Sequence, residues 1–219
     1  MFELVDFVLQ FDEHLDKLAG DFGVWTYAIL FAIVFCETGL VVTPILPGDS
    51  LLFAVGAFCA RPNQPLEIWT ATILLTIAAI LGDTVNYHIG KYLGPKVLSG
   101  KLSRWLNPKY LERTQWFFDR YGGKTIVLAR FVPIVRTFAP FVAGVGAMHY
   151  GRFLAYNIFG GIAWVVICTQ AGFWLGNIPV VRERFELVVL LIVAISLLPA
   201  LIEYCLHRFG RKPAAEKAL

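Results

Sequence analysis

Residues 125–148 read TIVLARFVPIVRTFAPFVAGVGAM, and residues 44–60 read PILPGDSLLFAVGAFCA. Both are apolar runs of the kind that enters a bilayer, and both are interrupted. Pro133 and Pro140 stand beside Arg130 and Arg136 in one; Pro44, Pro47 and Gly48 precede Asp49 in the other. Proline removes a backbone donor and ends or kinks a helix. Neither run is therefore expected to cross ~30 Å of hydrocarbon as one regular helix. Each is expected to dip in and return to the same face, which is tolerated only where protein shields the backbone or a wet cavity adjoins it.

Working outward, residues 24–42 and 68–90 are apolar spans with one formal charge each, Glu37 and Asp83. Residues 153–176 carry no charge, and residues 187–202 are the centre of a last span, with Glu186 and Glu203 at its ends and Pro199 inside. In residues 2–19, Leu4, Val8, Phe11, Leu15 and Leu18 recur at helical spacing, as in an interfacial amphipathic helix. The expectation is an all-α membrane protein with about four transmembrane helices, two opposed re-entrant segments in an inverted repeat, and an N-terminal amphipathic helix. Residues 1–22 are that helix, 23–207 a single membrane domain, and 208–219 a polar tail.

Composition agrees. Of 219 residues, 58% are hydrophobic and 16% charged, where a soluble domain carries about 25% charged residues. Disorder needs the opposite balance, and a soluble enzyme could not keep such a surface wet. The net charge of +3 is unevenly spread: residues 1–22 hold six acids and one base, and residues 95–124 hold seven bases and two acids. Beside apolar spans, a basic block marks the cytoplasmic side, with attraction to anionic lipid as a second cause and nucleic acid a poor third. The loop 95–124 and both termini are thus expected in the cytoplasm, with segment 44–60 opening outward and segment 125–148 inward. A weak repeat fits: Gly90-Lys91-Tyr92-Leu93-Gly94 is echoed by Gly172-Phe173-Trp174-Leu175-Gly176. Inverted repeats with broken helices are a transporter architecture. Cys36, Cys59, Cys168 and Cys205 are scattered in apolar runs and read as small buried hydrophobes. No metal or cofactor is implied.

Charged side chains at membrane depth cost ~2.5–3.5 kcal/mol each on insertion scales, so Glu37, Asp49, Asp83, Arg130 and Arg136 need a reason. Internal ion pairing is one, strongest for Asp83 in its regular helix. The broken backbone supplies another. Helices that start just after Pro47 or Pro133 present free N–H groups and a positive dipole end, which attracts anions. Arginine adds a planar fork that matches phosphate or carboxylate. Arg130 and Arg136, with Ser50 and Thr137 as hydroxyls beside the acid and the arginine, are expected to bind an anionic ligand, which would be a headgroup if the ligand is a lipid. An apolar site favours the uncharged form of a carboxyl, so Glu37 and Asp49, with Asp83, are expected to carry protons.

Glu37-Thr38-Gly39 with Pro44-Ile45-Leu46-Pro47-Gly48-Asp49-Ser50 resembles the first signature of the DedA family of bacterial inner-membrane proteins. Arg130-Phe131-Val132-Pro133-Ile134-Val135-Arg136-Thr137 with Pro140 and Ala143-Gly144 resembles the second, and Gly82-Asp83, Asn86-Tyr87 and Gly90 the segment between. The resemblance implies essential acids at Glu37 and Asp49, essential arginines at Arg130 and Arg136, and a role in envelope integrity and cell division. It also implies a lipid substrate: some members are implicated in returning undecaprenyl phosphate across the membrane, and eukaryotic relatives scramble phospholipids. The partners expected are therefore a membrane lipid or polyprenyl phosphate, and protons; self-association is compatible with the sequence. The residues alone leave open a proton-coupled transporter of a small solute, cation or drug. They also leave open a phosphatase acting on polyprenyl pyrophosphate, although no histidine–serine arrangement stands in either proline-broken motif.

Overall fold

A computed structural model of the chain describes residues 20, 22–40, 48–62, 64–98 and 108–178. The expected last span 187–202, the tail 208–219, Pro44, Pro47, Trp105 and nearly all of the amphipathic segment 1–22 lie outside the described residues. The described residues are helical, with no strand among them. In chain order the helices are α1 (Trp25–Gly39), α2 (Gly48–Cys59), α3 (Ile68–Leu98), α4 (Pro108–Tyr121), α5 (Thr125–Ala129), α6 (Pro133–Val142) and α7 (Tyr150–Gly176). A 3₁₀ turn, Gly122–Lys124, joins α4 to α5, and a π-helical turn, Ala143–Ala147, follows α6.

Two helices set the frame. Ile68–Gly94 of α3 and Tyr150–Gly176 of α7, 27 residues each, are long and apolar enough to cross a membrane. On α3, Trp69, Ile73, Ile77, Leu81 and Val85 form an exposed apolar stripe, while Ala71, Leu75, Ala78 and Ala79 are buried on another face. Small residues at the helix–helix contact and large apolar residues outside are the pattern of a helix packed in lipid. Glu67 starts α3: its carboxylate accepts N–H bonds from Trp69 (3.3 Å) and Thr70 (2.9 Å) and a bond from the Thr70 hydroxyl. Those Thr70 bonds hold the Glu67 carboxyl below its ordinary range.

The contacts fix the direction of every arm. Asn157 Nδ2 donates to Ile80 O (3.0 Å) and the Thr72 and Thr169 hydroxyls meet at 3.1 Å, so α3 and α7 are antiparallel. Tyr27 Oη accepts from Glu67 N–H (2.6 Å) and Gly39 faces Gly82, so α1 runs along α3 in the same sense. Gly56 faces Thr169 and Gly176 faces Ala57, so α2 runs with α7. Gly123 faces Tyr156 and Gly160 faces Val127, so α5 also runs with α7; Gly90 faces Phe141 and Gly94 faces Val145, so α6 runs with α3. Helices α1 and α2 are thus the two arms of one hairpin, and α4–α5 and α6 those of a second. The hairpins point in opposite directions, and each lays its first arm on the long helix of its own half and its second arm on that of the other.

This changes three expectations. The span expected at 24–42 is the 15-residue α1, about 22 Å long at 1.5 Å per residue, and it ends at a hairpin tip instead of crossing. The start of α1 therefore lies on the same side as the start of α3, opposite α4, and not on the side of the basic loop. The loop expected at 95–124 is largely helical, because α3 continues to Leu98 and Pro108–Tyr121 forms the amphipathic α4. Pro140, expected to break its segment, sits inside α6. Its missing N–H leaves a gap in the ladder, and the chain loosens into the π-helical turn three residues after it. Pro133, in contrast, opens α6 in the first turn, where its missing donor costs nothing. Gly146, at φ 150°, ends the π-helical turn in a conformation that favours glycine.

Two apolar clusters fill the interior. Leu30, Val34, Leu52, Phe58, Leu75 and Trp164 anchor one; Tyr87, Phe118, Ile126, Phe141 and Phe153 anchor the other. Glycines let the arms seat closely. A Cβ on Gly172 would run into the Phe53 carbonyl and one on Gly56 into the Thr169 carbonyl, while Gly90 and Gly144 stand the same way to Phe141 and Tyr87. The repeated strings Gly90–Gly94 and Gly172–Gly176 thus do one job twice: each long helix receives the second arm of the opposite hairpin there. Gly172→Ala and Gly144→Ala are each expected to cost about 1–3 kcal/mol by overpacking, read as a lower unfolding temperature of the detergent-purified protein. Gly151→Ala, whose Cβ would meet only His149 Nδ1 at 3.8 Å, should leave it unchanged; equal tolerance at all three positions would refute the close-crossing account.

Candidate functional site

The hairpin tips meet halfway along the long helices, between the two apolar clusters. Arg136, in the first turns of α6, donates from Nη2 to Glu37 Oε1 (2.6 Å) at the end of α1, and from Nη1 to Asp49 Oδ1 (2.9 Å) at the start of α2. One guanidinium therefore joins both arms of the first hairpin to the second. Glu37 Oε1 also accepts the Gly48 N–H (3.0 Å), closing the tip across residues 40–47. Gly48 is required there, because a Cβ would collide with the Glu37 carboxyl. The other oxygen, Glu37 Oε2, is buried with no hydrogen-bond partner among the described residues, and so is Ser50 Oγ.

Arg130, in the turn between α5 and α6, forms a second cluster. Its Nη2 donates to Asp83 Oδ2 (2.5 Å) and to Asn157 Oδ1 (2.6 Å). Asp83 is the midpoint of α3, and Asn157 lies on α7, so this pair ties both long helices to the second tip. The clusters differ in access. The Arg130 and Asp83 side chains are 3% and 7% exposed, whereas those of Arg136 and Asp49 are 11% and 33% exposed. The Arg130 pair is sealed, whereas the Arg136 cluster is partly exposed through Asp49.

The arrangement brings together Glu37, Asp49, Asp83, Arg130 and Arg136, all singled out from the sequence. Ser50 and Thr137 are buried in the first turns of α2 and α6. The residues that sequence reasoning passed over are polar groups of the long helices. Trp164 Nε1 donates to Asp49 Oδ1 (2.6 Å), and its ring lies under both guanidiniums, 4.3 Å from Arg136 Cζ and 5.6 Å from Arg130 Cζ. Asn86 Nδ2 donates to the carbonyls of Thr38 (3.2 Å) and Thr137 (3.0 Å), one at each tip. The available signal was position: Trp164 and Asn157 lie well inside a span, where tryptophan is away from its usual interfacial belt and a buried amide needs partners.

The chain matches the VTT domain model over residues 46–174, a stretch that holds Asp49, Asp83, Arg130, Arg136 and Trp164. It is 50% identical to Protein DedA of Escherichia coli over 97% of both chains. The chain belongs to the DedA family. An uncharacterized membrane protein of Mycobacterium tuberculosis is 45% identical over 84% of this chain and 80% of its own. The Escherichia coli inner membrane protein YghB is 35% identical over 89% and 86%. No solved structure matches. Relatives of this kind, with the lipid-type packing of α3, establish a helical membrane protein.

Within this DedA-family fold the sealed pair has a direct test. Removing one partner of a buried ion pair leaves an uncompensated charge and costs about 3–5 kcal/mol, whereas replacing both with apolar residues is far better tolerated. Asp83→Leu and Arg130→Met should each lower the unfolding temperature in detergent sharply, and the double variant should recover much of the loss. Additive losses in the double variant would mean that the two side chains are not coupled.

Proposed function

We propose that this protein moves an anionic lipid headgroup, foremost that of a polyprenyl phosphate such as undecaprenyl phosphate, across the bacterial inner membrane in a proton-linked cycle. The observation that carries the reading is the Arg136 cluster, buried but partly exposed through Asp49 where two opposed hairpins meet. In this reading the hairpins are re-entrant and α3 and α7 are spans of a multi-pass protein whose halves form an inverted repeat. The basic α4 side faces the cytoplasm, so the first hairpin opens outward and the second inward. A headgroup then crosses only the short distance between tips, while its apolar tail stays in lipid. An inverted repeat gives two mirror-related accessible states around one site.

Charge balance supports the proton. Three carboxylates face two guanidiniums, and α2 and α6 point their N-termini at the cluster, each end contributing roughly half a positive charge. The site is then near neutral when empty. A phosphate oxygen taken up by the Arg136 fork adds negative charge in a poorly solvated place, and a proton on a carboxyl offsets it. Glu37 Oε2, which has no hydrogen-bond donor among the described residues, is the open position for that proton. Arg136, with Thr137 and Ser50 beside the tips, holds the headgroup, Arg130 fixes the second tip beside it, and Glu37 and Asp49 carry protons. Asp83 is assigned to holding Arg130. No bond is broken in this cycle. His88 Nδ1 lies 2.7 Å from the Thr84 carbonyl and His149 Nδ1 accepts the Gly151 N–H at the start of α7.

Reconstituted vesicles test this. Labelled undecaprenyl phosphate should change leaflet faster with the protein than without it, phospholipid controls should not, and no inorganic phosphate should appear. Arg136→Lys, which keeps charge but loses the fork, should cut the rate at least tenfold, and Glu37→Gln should abolish its dependence on a proton gradient. Undiminished flipping by both variants would remove the cluster from the mechanism. Flipping insensitive to the gradient in the unmodified protein would remove the proton, and phosphate release would favour an enzyme.

A further inference from the structure

We propose that Trp164 is a positioning residue whose indole N–H retains the Asp49 carboxylate when an anionic headgroup takes that carboxylate's place on Arg136. This rests on the headgroup reading above. Asp49 Oδ1 accepts two donors, Arg136 Nη1 at 2.9 Å and Trp164 Nε1 at 2.6 Å. Seen from Arg136, Asp49 occupies the site an incoming oxygen would use. Glu37, the other carboxylate on the fork, is less free to leave, because its Oε1 is also bonded to Gly48 N–H and its side chain is 7% exposed against 33% for Asp49.

The packing seats the three groups on two helix pairs, which also touch each other along α3 and α7. Asp49 starts α2, which seats on α7, the helix of Trp164, through the Gly56 and Gly172 crossing. Arg136 starts α6, which seats on α3 through the Gly90 and Gly144 crossing. A headgroup that draws Arg136 away from Asp49 therefore leaves the Asp49–Trp164 bond within one helix pair. A displaced carboxylate with no donor would pay the cost of a buried unpaired charge; the indole, a donor with no acceptor capacity, removes most of that cost. The Trp164 ring, 1% exposed and 4.3 Å from Arg136 Cζ, lies beneath the guanidinium and aims the fork while Asp49 is bound to it.

The test separates the N–H from the ring. Trp164→Phe keeps an aromatic face for Arg136 and loses only the donor. Geranyl phosphate, a short isoprenyl phosphate, is titrated calorimetrically into the full chain in detergent. Trp164→Phe should bind it about tenfold more weakly than the unmodified protein, the loss expected for one hydrogen bond to a charged group. In an Asp49→Asn background, where displacement leaves no charge behind, Trp164→Phe should change affinity less than twofold. Equal loss in both backgrounds means a merely structural tryptophan, and no loss in either means no role; both overturn the proposal while leaving the headgroup reading intact. If the unmodified protein does not bind geranyl phosphate, the headgroup reading falls and takes the proposal with it. Should Trp164→Phe not fold, the indole N–H resonances of the six tryptophans answer in its place. Asp49→Asn should displace one of them, and geranyl phosphate should leave that one hydrogen-bonded; no displaced resonance overturns the proposal.

Discussion

Everything in this molecule is arranged around one guanidinium that must be neutralised out of water. Arg136 reaches two carboxylates, Glu37 and Asp49, and they come from the two arms of the opposite hairpin. An arginine at membrane depth is costly unless paired, so the second hairpin cannot seat without the tip of the first, nor the first without the second. The same contact sets the register of three helices: α1 must carry Glu37 in its last turn, α2 must carry Asp49 in its first, and α6 must start far enough before Arg136 to aim its fork. Asn86 holds the register from the side by bonding one carbonyl at each tip.

Close packing makes that contact possible. The hairpin arms are short, and only the long helices carry them to the middle of the molecule. In a lipid environment no hydrophobic force drives helices together, so small residues that admit backbone contact do that work. The paired crossings, Gly56 with Gly172 and Gly90 with Gly144, are the same device on opposite halves. A swapped arrangement, in which each second arm rests on the other half's long helix, means that neither half is complete alone. It also leaves two helix pairs, α2 with α7 and α6 with α3, which meet at the Arg136–Asp49 contact as well as along α3 and α7.

Much of this was legible in the chain. Proline-broken apolar runs, five ionisable residues at membrane depth and the echoed glycine strings pointed to opposed segments around a charged centre, and all five charges do converge. The first arm was misread because α1 and the run before Pro44 are equally apolar: composition shows that a segment can enter a bilayer, not that it stops at Gly39. Pro140 misled for a different reason. A proline removes one hydrogen bond, and whether the helix ends or relaxes into a π-helical turn depends on the packing of α6 against α3, which no local rule contains. Trp164 and Asn157 were hidden because a span without formal charge reads as inert, and their importance comes from what lies 2.6 Å away on other elements.

The two arginines then divide the work by access. The Arg130 pair is closed on all sides by α3, α7 and its own turn, so its balance of charge is permanent, and it fixes where the second tip sits. The Arg136 cluster has one carboxylate too many for its guanidinium, two helix ends that offset the excess, and one carboxylate that is partly exposed. A site of that kind is near neutrality without being saturated. On the proposed reading it exchanges an internal anion for an external one and takes a proton without holding a bare charge in hydrocarbon. A surplus carboxylate and partial exposure, at a place where two helix pairs meet, are what distinguish this cluster from the sealed ion pair of Arg130.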